Sequence, residues 1–253
     1  MDLGLRDRVY LVTGGTRGLG FATARALVDD GARVVVTGRD EKRAAEAVAA
    51  LGGPEQALGI AADNGDSGTA ERLVAAALAR FERLDGALVS VGGPPPGAIT
   101  AVEDDQWRDA FESVFLGAVR LARATAAALP AGGSIGFVLS SSVRQPIPGL
   151  GVSNGLRPGL AMVAKTLADE LGPRGVRVFG LLPGRIDTDR VRELDELSGD
   201  ADATRARQAQ AIPLARYGTP EEFGRVAAFT LSPAASYLTG VMIPIDGGLA
   251  RTL

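Results

Sequence analysis

Apolar runs and helical periodicities alternate along the chain. Short continuous apolar runs, which are typical of strands buried on both faces, lie at 9–12, 34–36, 57–62, 87–91, 134–139, 176–182 and 241–245. Stretches with apolar residues three or four positions apart predict helices at about 19–30, 41–51, 66–81, 105–129 and 154–171, and Thr219-Pro220-Glu221-Glu222 starts a further helix. The alternation predicts an α/β fold in three layers, with a doubly wound, mostly parallel sheet of about seven strands and helices on both faces.

The first strand is followed by a glycine-rich turn that opens a helix. Residues 13–20 read Thr-Gly-Gly-Thr-Arg-Gly-Leu-Gly. Gly14, Gly18 and Gly20 allow a tight turn, close approach of a pyrophosphate and close packing of helix on strand. The helix N-terminus offers free N–H groups to an anion. Such a turn could also be a simple connection between a strand and a helix. Its position as the first turn in a chain of alternating strands and helices favours a Rossmann-type dinucleotide site.

Two arginines indicate which dinucleotide the turn binds. Arg39 follows the second strand, where an acidic residue would bind the 2′-hydroxyl of NAD and an arginine suits the 2′-phosphate of NADP. Arg17 lies inside the glycine turn, within reach of the same phosphate. Each arginine alone is explained as a solvated surface residue, whereas the two together favour NADP(H).

Further candidates follow the later strands. Asp63 is a candidate partner for an adenine amino group, and its alternative role is that of a turn or cap residue. The run 92–97, Gly-Gly-Pro-Pro-Pro-Gly, forms a stiff turn at the edge where an open α/β sheet binds its ligand. The charged region 187–211 has the character of a mobile helical lid over that crevice. Because no linker or repeat interrupts the chain, we expect a single domain over residues 1–253.

Composition narrows the chemistry. A net charge of −3 gives no electrostatic reason to expect a nucleic acid or an anionic membrane as partner. The chain contains no cysteine and no histidine, so thiolate chemistry and imidazole are excluded, and no metal site is expected. Proton transfer must come from Asp, Glu, Lys, Tyr or a relay of hydroxyls and water. The first residues lack the apolar core of a signal peptide, and we expect a cytoplasmic protein.

These motifs together resemble the short-chain dehydrogenase/reductase family over essentially the whole chain. The matching residues are Thr13-Gly14 with Gly18 and Gly20, Asp63, Leu84-Asp85, Gly92, a serine after the fifth strand, Pro183-Gly184 with Ile186 and Thr188, Thr239-Gly240, and Asp246-Gly247-Gly248. The resemblance implies a seven-stranded sheet, an NAD(P) cofactor, a small-molecule substrate, and a homotetramer or homodimer.

The resemblance also implies which residues bind the cofactor. They are Gly14, Thr16, Arg17, Gly18, Leu19, Gly20, Arg39, Asp63, Asn64, Gly92, Arg157, Pro183, Gly184, Ile186 and Thr188.

The family's catalytic group is largely replaced in this chain. Counting from the stretch that begins at Lys165, the tyrosine position falls on Ser153 and the lysine position on Arg157, while the asparagine position falls on Val114. The spacing places the family's serine at Ser140, and Ser141 and Ser142 are the candidates if the loop is shifted. No tyrosine lies between residues 134 and 180, so no shift of register restores the pair. We expect an arginine with a pKa above about 12 to hold ribose hydroxyls and a reacting oxygen, without exchanging protons.

Three functions remain open. The first is an NADP(H)-dependent oxidoreductase acting on a carbonyl or alcohol, whose proton step uses Ser140, Ser153, water and Arg157. The second is an NADP(H)-binding protein with impaired turnover that acts as a sensor or partner subunit. The third, a glycine turn that binds nothing, is disfavoured because Arg17, Arg39 and Asp63 occur together.

Overall fold

Seven parallel strands form one sheet, as the alternating pattern predicts. The computed structural model describes residues 2–197 and 199–252, so Ser198, within the predicted lid, lies outside the described residues. The sheet order is β3-β2-β1-β4-β5-β6-β7, with every neighbouring pair parallel. The strands are β1 (Val9–Val12), β2 (Arg33–Gly38), β3 (Ala57–Ala61), β4 (Gly86–Val89), β5 (Ser134–Val138), β6 (Arg177–Pro183) and β7 (Met242–Ile245).

Helices connect the strands and cover both faces of the sheet. The α-helices are α1 (Gly18–Asp29), α2 (Glu41–Ala50), α3 (Thr69–Phe81), α4 (Asp104–Ala110), α5 (Gly117–Ala128), α6 (Gly151–Leu171), α7 (Asp189–Glu196), α8 (Ala201–Gln210) and α9 (Pro220–Leu231). Thr219 and Glu222 form the capping box expected at the start of α9. Within the described ranges, no helix combines the length and apolarity needed to cross a bilayer.

The core lies in two layers, one on each face of the sheet. Side chains of β1 alternate between them, because successive residues of a strand point to opposite faces: Val9 and Leu11 pack in one cluster, and Tyr10 and Val12 in the other. The first cluster includes residues of α3, α5 and α6, and the second includes residues of α1, α2 and α9. The predicted three-layer, doubly wound architecture is confirmed.

Two helices differ from their predicted form. The stretch predicted as one helix over 105–129 is divided into α4, a π-helical segment at Phe111–Leu116, and α5. Val114, at the asparagine position, is buried in that segment. α6 begins at Gly151, earlier than the predicted 154, and contains Pro158, which has no N–H to donate within the helix.

Asp85 ties together the N-terminal ends of the central strands. Its side chain is 2% exposed and accepts hydrogen bonds from the Val9 amide at 2.8 Å, from Arg8 at 3.0 Å and from both nitrogens of the Arg83 fork at 2.7 and 2.8 Å. The Asp85 carbonyl accepts from the Ser134 amide. Asp85 therefore stabilises the ends of β1 and β4 through its carboxylate and that of β5 through its carbonyl, at the edge of the sheet opposite the predicted site.

Replacing Asp85 by alanine is expected to lower the free energy of unfolding by about 2–3 kcal/mol, because the buried Val9 amide loses its acceptor and two arginines lose their partner. Urea unfolding followed by circular dichroism measures the change. Asp105→Ala is the matched control, since that carboxylate is 88% exposed in a surface pair with Arg108 and its loss should change little. Equal effects of the two substitutions would contradict the role given to Asp85.

Candidate functional site

The parallel topology gathers the predicted site residues at one edge of the sheet. The glycine turn follows β1, Gly92 follows β4 and the serines follow β5. Pro183 is the last residue of β6, and residues 184–188 follow it. The Thr13 hydroxyl donates to the Ser90 carbonyl at 2.8 Å and accepts from the Ser90 amide at 2.9 Å, which joins the end of β1 to that of β4. The carboxyl ends of parallel strands are where open α/β sheets bind their ligands.

The glycine turn has the shape that a dinucleotide requires. Gly14 and Gly18 have φ of 58° and 55°, in the left-handed region that favours glycine. A Cβ on Gly20 would lie 2.3 Å from the Gly14 carbonyl oxygen, so α1 starts in direct contact with the turn. These residues leave backbone amides and a helix N-terminus open to a pyrophosphate, and the cradle fits the cofactor that the sequence implies.

A groove of about 360 Å³ begins at the turn and runs along α2. It is lined by Thr16, Arg17, Phe21, Arg43, Glu46, Ala47, Ala50 and Asp189. Thr16 and Arg17 are among the residues predicted from the sequence, whereas Arg43, in the first turn of α2, was missed. The groove therefore has two cations, Arg17 and Arg43, on its walls.

The other predicted adenine-side residues lie on separate loops. Arg39 is exposed and precedes Asp40, whose side chain caps α2. Asp63 accepts a hydrogen bond from the Gly65 amide at 2.8 Å, which is the turn role considered as its alternative. The carbonyl of Asn64 packs against Gly117 at the start of α5. Leu19 is half-buried in the first turn of α1.

The segment after β6 closes the edge of the site. The Gly184 amide donates to the Ile245 carbonyl at 3.0 Å, and Ile186 is buried and pairs with Gly218. Thr188 caps α7, and a Cβ on Gly18 would meet its methyl group at 3.6 Å. The predicted lid region is helical in α7 and α8, and this contact brings its first residues against the glycine turn.

Ser142, rather than Ser140, has its hydroxyl beside Ser153. The two Oγ atoms are 3.4 Å apart, and both residues are buried. Ser140 instead caps the short 3₁₀ turn that follows β5, where its hydroxyl accepts from the Ser142 amide at 3.0 Å. Of the serines considered from the sequence, Ser142 is therefore the one that the structure shows with its hydroxyl beside Ser153.

Arg157 lies one turn after Ser153 on α6 and is 5% exposed. Its guanidinium donates to the Val138 carbonyl and, at 3.4 Å, to the Val91 carbonyl, at the ends of β5 and β4. Its Nε has no partner among the described residues. Burial lowers the pKa of this guanidinium to about 10. Arg157 therefore still carries its charge at neutral pH.

No tyrosine replaces the missing phenol at this edge. Tyr10 is buried in β1, where burial raises its pKa. Tyr217 is also buried and donates its hydroxyl proton to Asp195 at 3.0 Å, and Tyr237 is fully exposed. Within the described ranges, no group of three or more acidic residues is placed to hold a metal ion.

Comparisons with known proteins agree with this architecture. A family model described as enoyl-(acyl carrier protein) reductase matches residues 14–250. Human dehydrogenase/reductase SDR family member 4 is 33% identical over 256 residues, covering 98% of this chain and 90% of the relative. L-rhamnose 1-dehydrogenase (NAD(P)(+)) of Azotobacter vinelandii is 33% identical, with 97% of each chain covered.

The fold is also similar to that of solved structures. L-sorbose reductase from Gluconobacter frateurii, in complex with NADPH and L-sorbose, superposes with a TM-score of 0.94 at 29% identity, over 100% of both chains.

Gly20→Ala is expected to lower the free energy of unfolding by about 3 kcal/mol or more, because the new methyl group overlaps the Gly14 carbonyl and forces α1 away from the turn. Gly172→Ala is the control, since a Cβ there meets nothing within 4 Å and its backbone is helical. Urea unfolding compares the two variants. A Gly20 variant as stable as the Gly172 variant would contradict the packing described for the turn.

Proposed function

The chain belongs to the short-chain dehydrogenase/reductase family, and from this we propose that it is an NADP(H)-dependent oxidoreductase that interconverts a carbonyl and an alcohol on a small molecule. Its active site is atypical, since Ser153 and Arg157 stand where the family uses tyrosine and lysine. The observation that carries the proposal is the buried group of Ser142, Ser153 and Arg157 at the same edge as the dinucleotide cradle.

Preference for the phosphorylated cofactor is supported by charge. Arg17 and Arg43 line the groove beside the glycine turn, and Arg39 lies exposed at the end of β2. A 2′-phosphate carries up to two negative charges and suits the guanidinium group. NADPH complexed with L-sorbose reductase, a protein of the same fold, agrees with this preference.

The serine pair would orient the substrate oxygen and pass it a proton. With the two hydroxyls 3.4 Å apart, either one can donate to the other, which leaves one O–H free for the substrate. NADPH, when bound, supplies the hydride that reduces the carbonyl carbon. Because an aliphatic hydroxyl is a weak acid, Ser142 and Ser153 act as a relay that water replenishes, and not as the source of the proton.

Arg157 would stabilise the negative charge that develops on the substrate oxygen. Its guanidinium is buried, and a buried charge acts through a lower dielectric than an exposed one. Two main-chain carbonyls hold the guanidinium in place. The guanidinium keeps its proton at neutral pH, so its role is to stabilise charge and not to transfer a proton.

A second function is supported by the loss of the phenol: an NADP(H)-binding protein with impaired turnover that acts as a sensor or partner subunit. Tyr217, the one tyrosine near the lid helices, has its hydroxyl engaged by Asp195. Binding of NADPH without reduction of any carbonyl would favour this function over the enzyme.

We also propose that the protein acts as a homotetramer or homodimer, in the cytoplasm, with residues 187–211 as the substrate lid. Exposed apolar side chains support association, since Met162 on α6 is 67% exposed and Phe111 is 44% exposed.

Arg39→Asp should weaken NADPH binding about tenfold or more while leaving NADH binding within about twofold, because it replaces a phosphate partner by a like charge. Titration of cofactor fluorescence measures both affinities. The matched control is Arg33→Asp, an arginine at the start of the same strand, paired with Asp7 at the opposite edge of the sheet. If Arg39→Asp weakened both cofactors equally, the preference would not depend on Arg39.

Ser142→Ala should lower turnover of a carbonyl substrate about a hundredfold with unchanged NADPH affinity, because it breaks the hydroxyl pair with Ser153. Ser140→Ala is the matched control and should cost much less, since that hydroxyl serves the turn. A panel of aldehydes and ketones identifies the substrate, and steady-state rates then compare the variants. A larger loss in the Ser140 variant would overturn the assignment of Ser142.

A further inference from the structure

A carboxylate shares the groove in which the 2′-phosphate of the cofactor is proposed to bind. Asp189, in the first turn of α7, lines the groove together with Arg17 and Arg43. Its Oδ2 is 3.9 Å from Arg17 Nη1, and its Oδ1 is 3.5 Å from Arg192 on the next turn of the helix. Asp189 therefore pairs with the arginine that the sequence assigns to the phosphate.

The start of α7 is held on both sides of the site. Thr188 packs against Gly18 of the glycine turn. Arg190 donates to the Pro94 carbonyl at 2.8 Å, in the proline-rich turn that follows β4. Because both neighbours are anchored, the fold places Asp189 beside the glycine turn, with its exposed side chain within reach of Arg17.

The charges on the groove walls are balanced when no phosphate is bound. Arg17 faces Asp189, while Glu46, the other carboxylate on the walls, pairs with Lys42 at 3.9 Å. A 2′-phosphate would bring up to two negative charges to Arg17 and would meet Asp189 as a like charge. NAD(H), which carries a hydroxyl at the same place, brings no such charge.

We propose that Asp189 is a specificity-determining residue that competes with the 2′-phosphate of NADP(H) for Arg17. This inference rests on the proposed NADP(H) function. Asp189 lowers the affinity for NADP(H) and leaves the affinity for NAD(H) unchanged. The two affinities therefore differ less than they would without this carboxylate. Binding of the phosphate to Arg17 breaks the ion pair between Asp189 and Arg17, while the contact of Thr188 with Gly18 remains.

Fluorescence titration of NADPH and of NADH with the Asp189→Asn variant tests the proposal. We expect NADPH to bind roughly two- to fivefold more tightly, the range that an exposed ion pair permits, and NADH to bind as in the unchanged protein. Glu196→Gln is the matched control, because it removes the same charge from the exposed far end of α7 and should alter neither affinity. In an Arg17→Ala background the effect of Asp189→Asn should disappear.

The outcomes separate this inference from the function on which it rests. If the unchanged protein prefers NADPH and Asp189→Asn fails to tighten NADPH binding, or tightens NADPH and NADH equally, the role of Asp189 is overturned and the cofactor assignment stands. If Glu196→Gln raised the NADPH affinity as much as Asp189→Asn, the effect would be one of net charge, and the role of Asp189 would again be overturned. If the unchanged protein binds neither cofactor, both proposals fail.

Discussion

The contact between Gly20 and the carbonyl of Gly14 is the constraint on which the rest of the site depends. There is no room there for even a methyl group, so the N-terminus of α1 packs directly against the turn, and the position of the helix relative to β1 is fixed. Free amide groups then face a single point beyond the end of β1, where an anion is stabilised. Since the sheet is parallel, β4, β5 and β6 end at the same edge, and the segments after β4 and β6 contact the turn through Ser90 and Thr188.

A second constraint is the buried charge of Arg157. Removing a guanidinium from water is costly, and main-chain carbonyls at the ends of β4 and β5 offset part of that cost. The same hydrogen bonds join α6 to two central strands, so one residue serves both the fold and the proposed chemistry. The guanidinium of Arg157 is therefore a charged centre on this helix that is fixed in place and less basic than a free arginine.

The strands, the glycine turn and the edge that carries the site could be predicted from the sequence, because each depends on a local pattern. Which of the serines after β5 has its hydroxyl beside Ser153 could not, since spacing along the chain does not fix the shape of the loop between them. That loop is shaped by Asn154, whose side chain bonds both main-chain groups of Ile147. Arg43 and Asp189 were missed because they reach the groove from helices far apart in the chain. The π-helical segment has no signal in the hydrophobic pattern.

We propose that hydride transfer between NADPH and a carbonyl compound occurs at a site built from Ser142, Ser153 and Arg157. The most direct measurement uses NADPH labelled with deuterium at both C4 positions, incubated with the protein and a series of aldehydes and ketones, with mass spectrometry of the alcohols formed. We predict that at least one alcohol gains a deuterium, and that the product disappears when Ser142 and Ser153 are both replaced by alanine. NADPH that binds but labels no alcohol in the series would contradict the claim.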